Sequence, residues 1–413
     1  VEKKRILNLS RKNKAVINSV FTYGTGLSLL IATYFLRGLF KLPEFNFGLN
    51  TKIPALIFIY MALIYCLYYF VPKFKNKQIK ILLYIYLLQS CAGLVNMKPE
   101  EIQAPFDGTR FENIEPFQDK SLLSLLKWRL TSKRAAWKSV ENQSFHKPSL
   151  SRSKELRIIF IGHSTVLIQI NNINILTDPH YSERSSPISW AGPKRVIQPA
   201  IKFQNLPPID VVLLSHNHYD HMDLPTLKRL SDVHKPVVLV GLGNATLLKS
   251  QGIINVHELD WWESFEFKQT PIYFTPVQHW SARGVFDKRK TLWGGFYIEA
   301  SKKIFFAGDT GYGKVFKMIH EKFGDMDVGL IPIGAYKPRW FMKDAHINPE
   351  EAVKVFKDLK LKNAIGIHFA TFEGLTDEAK YKPAQDLKAA LKKNELDESS
   401  FIAPDFGIEY LYK

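Results

Sequence analysis

Cysteine is nearly absent from this chain. Only Cys66 and Cys91 occur in 413 residues, so everything beyond residue 91 lacks a thiol and has no disulfide framework. Internal repeats and low-complexity segments are missing too, which sets aside repeat architectures. A basic surplus is missing where a nucleic-acid-binding domain would need it: residues 156–413 carry 32 Lys/Arg against 29 Asp/Glu. The formal charge of +17 comes instead from residues 1–155, with 24 against 10, and no nucleic-acid partner is expected. Histidine is scarce at 12 residues, yet three fall within LLSHNHYDHMD at 213–223. At 46% hydrophobic and 23% charged, the composition is that of a globular protein long enough for one large domain and an appendage.

Two stretches contain no charged side chain at all. Residues 15–36 (AVINSVFTYGTGLSLLIATYFL) and 53–71 (IPALIFIYMALIYCLYYFV) each reach the roughly 20 residues that a helix needs to cross a bilayer. Both are expected to be transmembrane helices; the plainer reading, a buried helix of a soluble core, must hide a charge-free run of unusual length. Lys3, Lys4, Arg5, Arg11, Lys12 and Lys14 precede the first run, and Lys73, Lys75, Lys77 and Lys80 follow the second. By the positive-inside rule both flanks are cytoplasmic. A third run, ILLYIYLLQSCAGLVNM, is strongly apolar only from Ile81 to Leu88. It reads either as a third helix or as a lipoprotein-like signal, because Leu88-Gln89-Ser90-Cys91 resembles a bacterial lipobox with Cys91 as the lipidated residue. Either way residues 1–95 form a membrane anchor region, and the rest lies on the periplasmic or outer side of a bacterial cytoplasmic membrane.

Residues 96–155 look like a lead-in, with Pro99, Pro105, Pro116 and mixed charge. Within it, SLLSLLKWRLTSKRAAW (121–137) sets leucines beside Lys127, Arg129, Lys133 and Arg134, the pattern of a basic amphipathic helix. Such a helix lies on an anionic membrane or packs against the main domain. From 156 to 413 short β-rich runs take over: 157–162, 165–170, 173–178, 211–215, 237–241, 272–277, 296–300, 303–309, 328–333 and 364–368. Helices are expected at 224–231, 312–323, 349–360 and 383–393. The one at 349 is well marked, with Asn348 to cap, Pro349 in the first turn, and Glu350 and Glu351 at the positive end. Adjacent strands followed by strands mixed with helices imply an α/β (α+β) domain of two sheets covered by helices.

VVLLS is a buried strand, so SHNHYDH falls where that strand ends, and His216 and His218, two apart, can point the same way. Asp220 and His221 continue into the turn before the next helix. Imidazole and carboxylate suit a borderline cation such as zinc, and four such groups at this spacing can serve two adjacent ions. Core filling does not explain them, since crowded imidazoles repel when protonated and each buried nitrogen needs a partner.

H-x-H-x-D-H after a hydrophobic strand resembles the signature of the metallo-β-lactamase superfamily, whose fold is an αββα sandwich with a dinuclear metal site at one edge. The resemblance implies further ligands downstream, and His279 in TPVQHW, Asp309 in FFAGDTGY and His368 in IGIHFATF each follow a predicted strand. It further implies that His216, His218 and His279 hold one divalent ion, that Asp220, His221 and His368 hold a second, and that Asp309 bridges them. Two such cations make a nucleophile of water near neutral pH, with Asp220 counted among the catalytic residues. Zinc is the expected metal by ligand type, with iron and manganese as alternatives.

Within the superfamily, the segments 162–195, TPVQHWSARG (275–284), LWGGF (292–296) and PIGAYKPRWFMKDAHINPEEAV (332–353) resemble the phospholipases D that hydrolyse N-acylphosphatidylethanolamine and their bacterial relatives. The resemblance runs from about Phe106 to Leu396. Two departures lie near the expected pocket: Lys337 stands where an acidic residue is usual, and His368-Phe369-Ala370-Thr371-Phe372 replaces a histidine-tryptophan-glycine start. The implied substrate is a membrane phospholipid, cleaved to phosphatidic acid and an N-acylethanolamine. His346 is the candidate general acid, Tyr219, Trp280, Tyr336 and Arg339 are candidate substrate contacts, and Lys194 and Arg195 are candidates to pair with a lipid phosphate. His163 is read as a supporting residue. The competing readings are a hydrolase of this fold acting on another ester, lactone or phosphodiester, and a tethered binding protein with a vestigial site.

Overall fold

Strict alternation along the apolar runs decides the architecture. The computed structural model describes residues 103–137, 145, 148–284 and 286–412. The expected membrane anchor at 1–95, including its two spans, its third segment and Cys91, lies outside the described residues. Among the described residues, no helix is long and apolar enough to cross a membrane.

In β1 (Leu156–Gly162), Leu156, Ile158 and Phe160 join one core while Ile159 and Ile161 join another. The same two-residue division recurs in β2 (Thr165–Ile170), β3 (Ile173–Thr177) and, beyond the short β4 (Lys194–Arg195), in β5 (Val211–Leu214) and β6 (Val237–Gly241). A strand apolar on both faces must be covered on both, so these strands sit inside a layered domain. With β7 (Val256–Leu259) and the final strand β16 (Glu409–Tyr412) they form a seven-stranded sheet in the order β16-β1-β2-β3-β5-β6-β7.

The second sheet also has seven strands. It comprises β8 (Ser264–Phe267), β9 (Thr270–Thr275), β10 (Gly295–Glu299), β11 (Lys303–Phe306), β12 (Met326–Pro332), β13 (Leu361–Ile367) and β15 (Phe401–Ile402), in the order β15-β13-β12-β11-β10-β9-β8. A two-residue strand, β14 (Phe372–Glu373), pairs with β4. Ile158, Phe160, Val166 and Ile175 of the first sheet share a cluster with Phe274, Phe296, Phe306, Leu330 and Ile365 of the second. Each such fully buried side chain stabilises the fold by about 1.5–3 kcal/mol relative to exposure, and the interlayer core holds dozens of them. It continues into α4 (Val315–Phe323), α6 (Pro349–Asp358) and α7 (Lys382–Lys393). On the far side of the first sheet, Leu227 and Leu230 of α2 (Leu224–Val233) and Leu248 of α3 (Ala245–Ser250) close the smaller core over Leu176, Val212 and Val240. The result is the expected αββα sandwich.

The expected helices appear as α2, α4, α6 and α7. The basic amphipathic stretch forms α1 (Leu122–Thr131), shorter than the 121–137 run, because beyond Ser132 the chain turns to Asp377. A short α5 (Arg339–Met342) follows β12. Strands β7, β8, β15 and β16 were not expected, since runs such as VHEL and SFEF carry too little apolar signal to stand out. Pairing is parallel from β3 through β5 to β7 and from β11 through β12 to β13, so the carboxyl ends of these strands open together at one edge. That edge is where open α/β sheets collect ligands.

Candidate metal centre

All seven expected ligands converge at this edge. His216 and His218 follow β5, Asp220 and His221 occupy the turn before α2, His279 follows β9, Asp309 follows β11, and His368 follows β13. Gly308, in the left-handed region at φ 60°, turns the chain between β11 and Asp309. A Cβ there would lie 2.5 Å from that of Ser215, so the close approach of the two sheet ends requires glycine. His163 and His368 are themselves left-handed, at φ 57° and 62°. Such outliers cost about 1–3 kcal/mol each; here a hydrogen bond from the His368 N–H to the His163 carbonyl (2.8 Å) ties the two together.

The side chains divide into two groups joined by one carboxylate. His218 Nδ1 lies 2.8 Å from His216 Nε2 and 3.3 Å from His279 Nε2. Two nitrogens about 2.0–2.1 Å from one tetrahedral ion are roughly 3.3 Å apart, so this trio has the spacing of a single coordination sphere. In the second group Asp220 Oδ2 lies 3.6 Å from His221 Nε2 and 3.3 Å from His368 Nε2. Asp309 Oδ2 stands between the groups, 3.1 Å from His221, 3.2 Å from His368 and 3.9 Å from His279. That is the place a bridging carboxylate would occupy.

Neighbouring groups fix which nitrogens face inward. His221 Nδ1 is 2.6 Å from Asp178 Oδ2, His279 Nδ1 is 2.9 Å from the Ala345 carbonyl, and His216 Nδ1 is 2.9 Å from Ser215 Oγ, which itself donates to Asp178. Occupying one ring nitrogen in this way orients the other as a lone-pair ligand. His221 Nε2 and Asp309 Oδ1 are buried without a hydrogen-bond partner. Leaving a buried polar atom unmatched costs about 1–3 kcal/mol; a cation accepting those lone pairs removes the penalty, and the donor set fits divalent metal ions.

Charge is balanced internally in the ion-free protein. Burial would raise Asp220 and Asp309, but His221 and the other imidazoles hold both carboxyls well below the usual range. Burial would lower His221 and His368, yet Asp309, with Asp220, raises His221 well above its ordinary value and His368 to about 9. Burial dominates at His216 and His279, pushed well down, and at His218, pushed down to about 3.

His346 enters from the loop before α6. Its Nδ1 lies 3.7 Å from Asp309 Oδ2 and has no hydrogen-bond partner. Burial pushes it down to about 4, so it is neutral at pH 7 and must gain a proton before it can give one. The α6 capping box holds this loop: Asn348 Oδ1 accepts from the Glu351 N–H (2.8 Å) and Glu351 from the Asn348 N–H (3.0 Å).

Of the four expected substrate contacts, Tyr219 and Trp280 are half-buried beside the cluster. The rings of Trp280 and His218 pack nearly at right angles with centroids 4.3 Å apart, and Tyr219 donates to the Arg283 carbonyl (2.9 Å). The polar ends of the other two are engaged by the protein itself. Tyr336 donates its hydroxyl to Asp386 (2.6 Å), and Arg339 pairs with both oxygens of Glu351 (3.0 and 2.8 Å) and donates to the His346 carbonyl. Arg339 therefore braces His346. Arg195 is likewise internal, buried against Phe372 and donating to the carbonyls of His180 and Ser182, while Lys194 remains exposed. His163, read as a supporting residue, has its Nε2 3.1 Å from Asp220 Oδ2 and offers a nitrogen to the same group as Asp220, His221 and His368. Asp178 was missed, although it ends the apolar run INILT just as Asp309 ends its own.

Residues 173–369 match the family described as the beta-lactamase superfamily domain. Over 261 residues the chain is 41% identical to the N-acyl-phosphatidylethanolamine-hydrolyzing phospholipase D 1 of Caenorhabditis elegans, covering 60% of this chain and 73% of that protein. It is 39% identical over 221 residues to the mitochondrial N-acyl-phosphatidylethanolamine-hydrolyzing phospholipase D of Saccharomyces cerevisiae, covering 52% and 47% respectively. The isothiocyanate hydrolase from Delia radicum gut bacteria superposes with a TM-score of 0.51 at 19% identity, over 62% of this chain and 98% of that one, a likeness of fold alone.

Proposed function

The chain belongs to the N-acyl-phosphatidylethanolamine-hydrolysing phospholipase D family and is a metal-dependent hydrolase, and from that premise we propose that it cleaves membrane N-acylphosphatidylethanolamine to phosphatidic acid and an N-acylethanolamine. The observation that carries this reading is the complete set of seven ligand positions at one sheet edge within a chain so similar to a named phospholipase. His216, His218 and His279 would hold one ion, Asp220, His221 and His368 the other, and Asp309 would serve both. Zinc is the metal that this nitrogen and carboxylate set favours. Bound there, the ions would supply Lewis acidity and lower the pKa of water toward neutrality.

In the hydrolysis, a water oxygen bonds to phosphorus, the bond from phosphorus to the ethanolamine oxygen breaks, and the departing alkoxide takes a proton. His346, neutral and buried beside Asp309, offers its N–H to the phosphoryl or leaving oxygen and can relay the proton after receiving one. Asp178, Ser215 and Ala345 hold the imidazoles in one orientation. Trp280 and Tyr219 contact the substrate at the rim. The lysine-flanked apolar runs before residue 96 support an anchor that keeps the domain beside its lipid on the outer side of the cytoplasmic membrane.

The test is head-group release from vesicles containing N-acylphosphatidylethanolamine, phosphatidylcholine and phosphatidylethanolamine, with metal content measured on the same sample and Asp220→Ala as control. Release of N-acylethanolamine by the parent and not by the variant is expected. Metal-loaded protein that leaves all three lipids intact would sink the reading in favour of another ester, lactone or phosphodiester.

A further inference from the structure

Helix α1 is attached to the domain along one side only. Trp128 is 4% exposed, stacks on Phe341 at 4.9 Å and donates from Nε1 to Asp377 (2.9 Å). The opposite side presents Leu123, Leu126 and Leu130, which are 76%, 50% and 83% exposed. Their spacing of three and four residues lines them up in one stripe. Exposed apolar residues scattered singly need no explanation, but three leucines in a row on one helix face do.

The surroundings of the stripe are basic. Lys127 lies beside it, its ammonium 5.3 Å from the ring of Trp340, which is itself 47% exposed. Exposed Arg129 and Lys133 follow, and α1 contains no acidic residue. Leucine and tryptophan on one side, with lysine and arginine alongside, is the composition of a helix that rests in a bilayer interface, its apolar groups among acyl chains and its cations at lipid phosphates. Charge also selects the occupant. Two copies joined through this stripe would bring their lysines together, whereas an anionic lipid surface attracts them.

The segment just before the stripe is joined to the loops of the candidate metal centre. Just before α1, Lys120 pairs with Asp344 (2.8 Å), two residues from His346, and Asp119 pairs with Lys288 (2.8 Å), whose ammonium sits over Trp280. Further back, Asn113 exchanges two hydrogen bonds with the backbone of His279 (2.8 and 3.0 Å). The segment that leads into α1 is thus tied to the loops that carry His279 and His346.

We propose that α1 and Trp340 form a docking face for the surface of an anionic bilayer. This rests on the phospholipid reading and adds the route by which a lipid-embedded substrate reaches the site. The test uses the full chain in vesicles, with a fluorescent acridone amino acid placed at position 123 or 130, or at the exposed apolar positions 233 and 254 as controls. The vesicles contain phosphatidylcholine with or without phosphatidylglycerol, plus a lipid bearing a nitroxide on its acyl chain. Labels at 123 and 130 are expected to lose most of their fluorescence, more with phosphatidylglycerol present, while those at 233 and 254 keep theirs. Lys127→Glu with Lys133→Glu should weaken the quenching at 130. Undiminished fluorescence at 123 and 130 overturns the proposal. So does shielding of these labels from aqueous iodide without lipid quenching, which would mean that protein covers the stripe, either a second copy or residues 1–95. Head-group release is read in the same vesicles: quenching without release strikes the substrate reading alone, and release without quenching strikes the docking face alone.

Discussion

Asn in place of Asp178 should separate the two candidate metal positions. The buried carboxylate accepts three hydrogen bonds, from the Ser215 N–H (2.8 Å), the Ser215 hydroxyl (2.6 Å) and His221 Nδ1 (2.6 Å). Asp178→Asn keeps the shape but leaves one acceptor oxygen for three donors, and its amide meets a donor wherever it replaces the second. His221 then loses the partner that keeps its proton on Nδ1, and the tautomer carrying hydrogen on Nε2 becomes competitive. Nε2 is the nitrogen that lies 3.1 Å from Asp309. Removing such a partner lowers metal affinity about 10–100-fold, or about 1.4–2.8 kcal/mol.

The loss should fall more heavily on one ion. His221 meets Asp178 directly, whereas His216 reaches it only through the Ser215 hydroxyl, and His279 Nδ1 rests on the Ala345 carbonyl, which Asp178 does not touch. Zinc titration of metal-free protein against a chromophoric chelator resolves this, with circular dichroism to show that the variant is folded. One binding step should weaken by that factor and the other by clearly less. Equal weakening of both steps, or of neither, in a folded variant would refute the argument that this hydrogen bond sets the ligand tautomer.

His346→Gln should lower kcat by about 10²–10⁴-fold if the imidazole serves the leaving oxygen, with metal content unchanged by elemental analysis; loss of an ion would make His346 a ligand instead. Metal affinity should rise with pH across the neutral range. His221 and His368 carry protons at pH 7 in the ion-free protein, with His368 raised to about 9, and each proton displaced makes affinity climb by up to about tenfold per pH unit. Chelator competition at several pH values checks the slope, and a flat profile refutes it. Gly308→Ala should destabilise the fold by about 1–3 kcal/mol through its left-handed backbone alone, more with the contact to Ser215, and denaturant titration measures it.

The candidate site was legible in the sequence because its expected ligands share one signal. Each follows an apolar run that had to be a buried strand, and parallel strands bring their carboxyl ends together. Asp178 carried the same signal and was passed over, although His221 meets it in space. Tyr336 and Arg339 show the limit of reasoning from proximity along the chain. What captures a polar end is decided by distant partners, here Asp386 on α7 and Glu351 on α6, and no local pattern announces them. The edge strands β8 and β15 were illegible because they are short: β8 alternates Phe265 and Phe267 with Ser264 and Glu266 over only four residues, none of them fully buried, and β15 has only two.

The lead-in gives this point its sharpest form. Proline and mixed charge mark residues 96–155 as a lead-in, yet its part at 103–120 braces the loops of the centre from outside. Asn113 grips the backbone of His279, Gln278 donates to the carbonyls of Glu115 and Pro116, Glu115 accepts from the Lys314 N–H just beyond Asp309, and Lys120 pairs with Asp344 near His346. Each contact spans more than 150 residues of chain, so each closes a loop whose entropy must be offset by the domain as a whole. Three of the loops that deliver His279, Asp309 and His346 are thereby tied to one extended strap, and the strap ends in α1 with its exposed leucines. The segment before the sandwich is therefore packed into the loops around the candidate centre rather than only leading up to it.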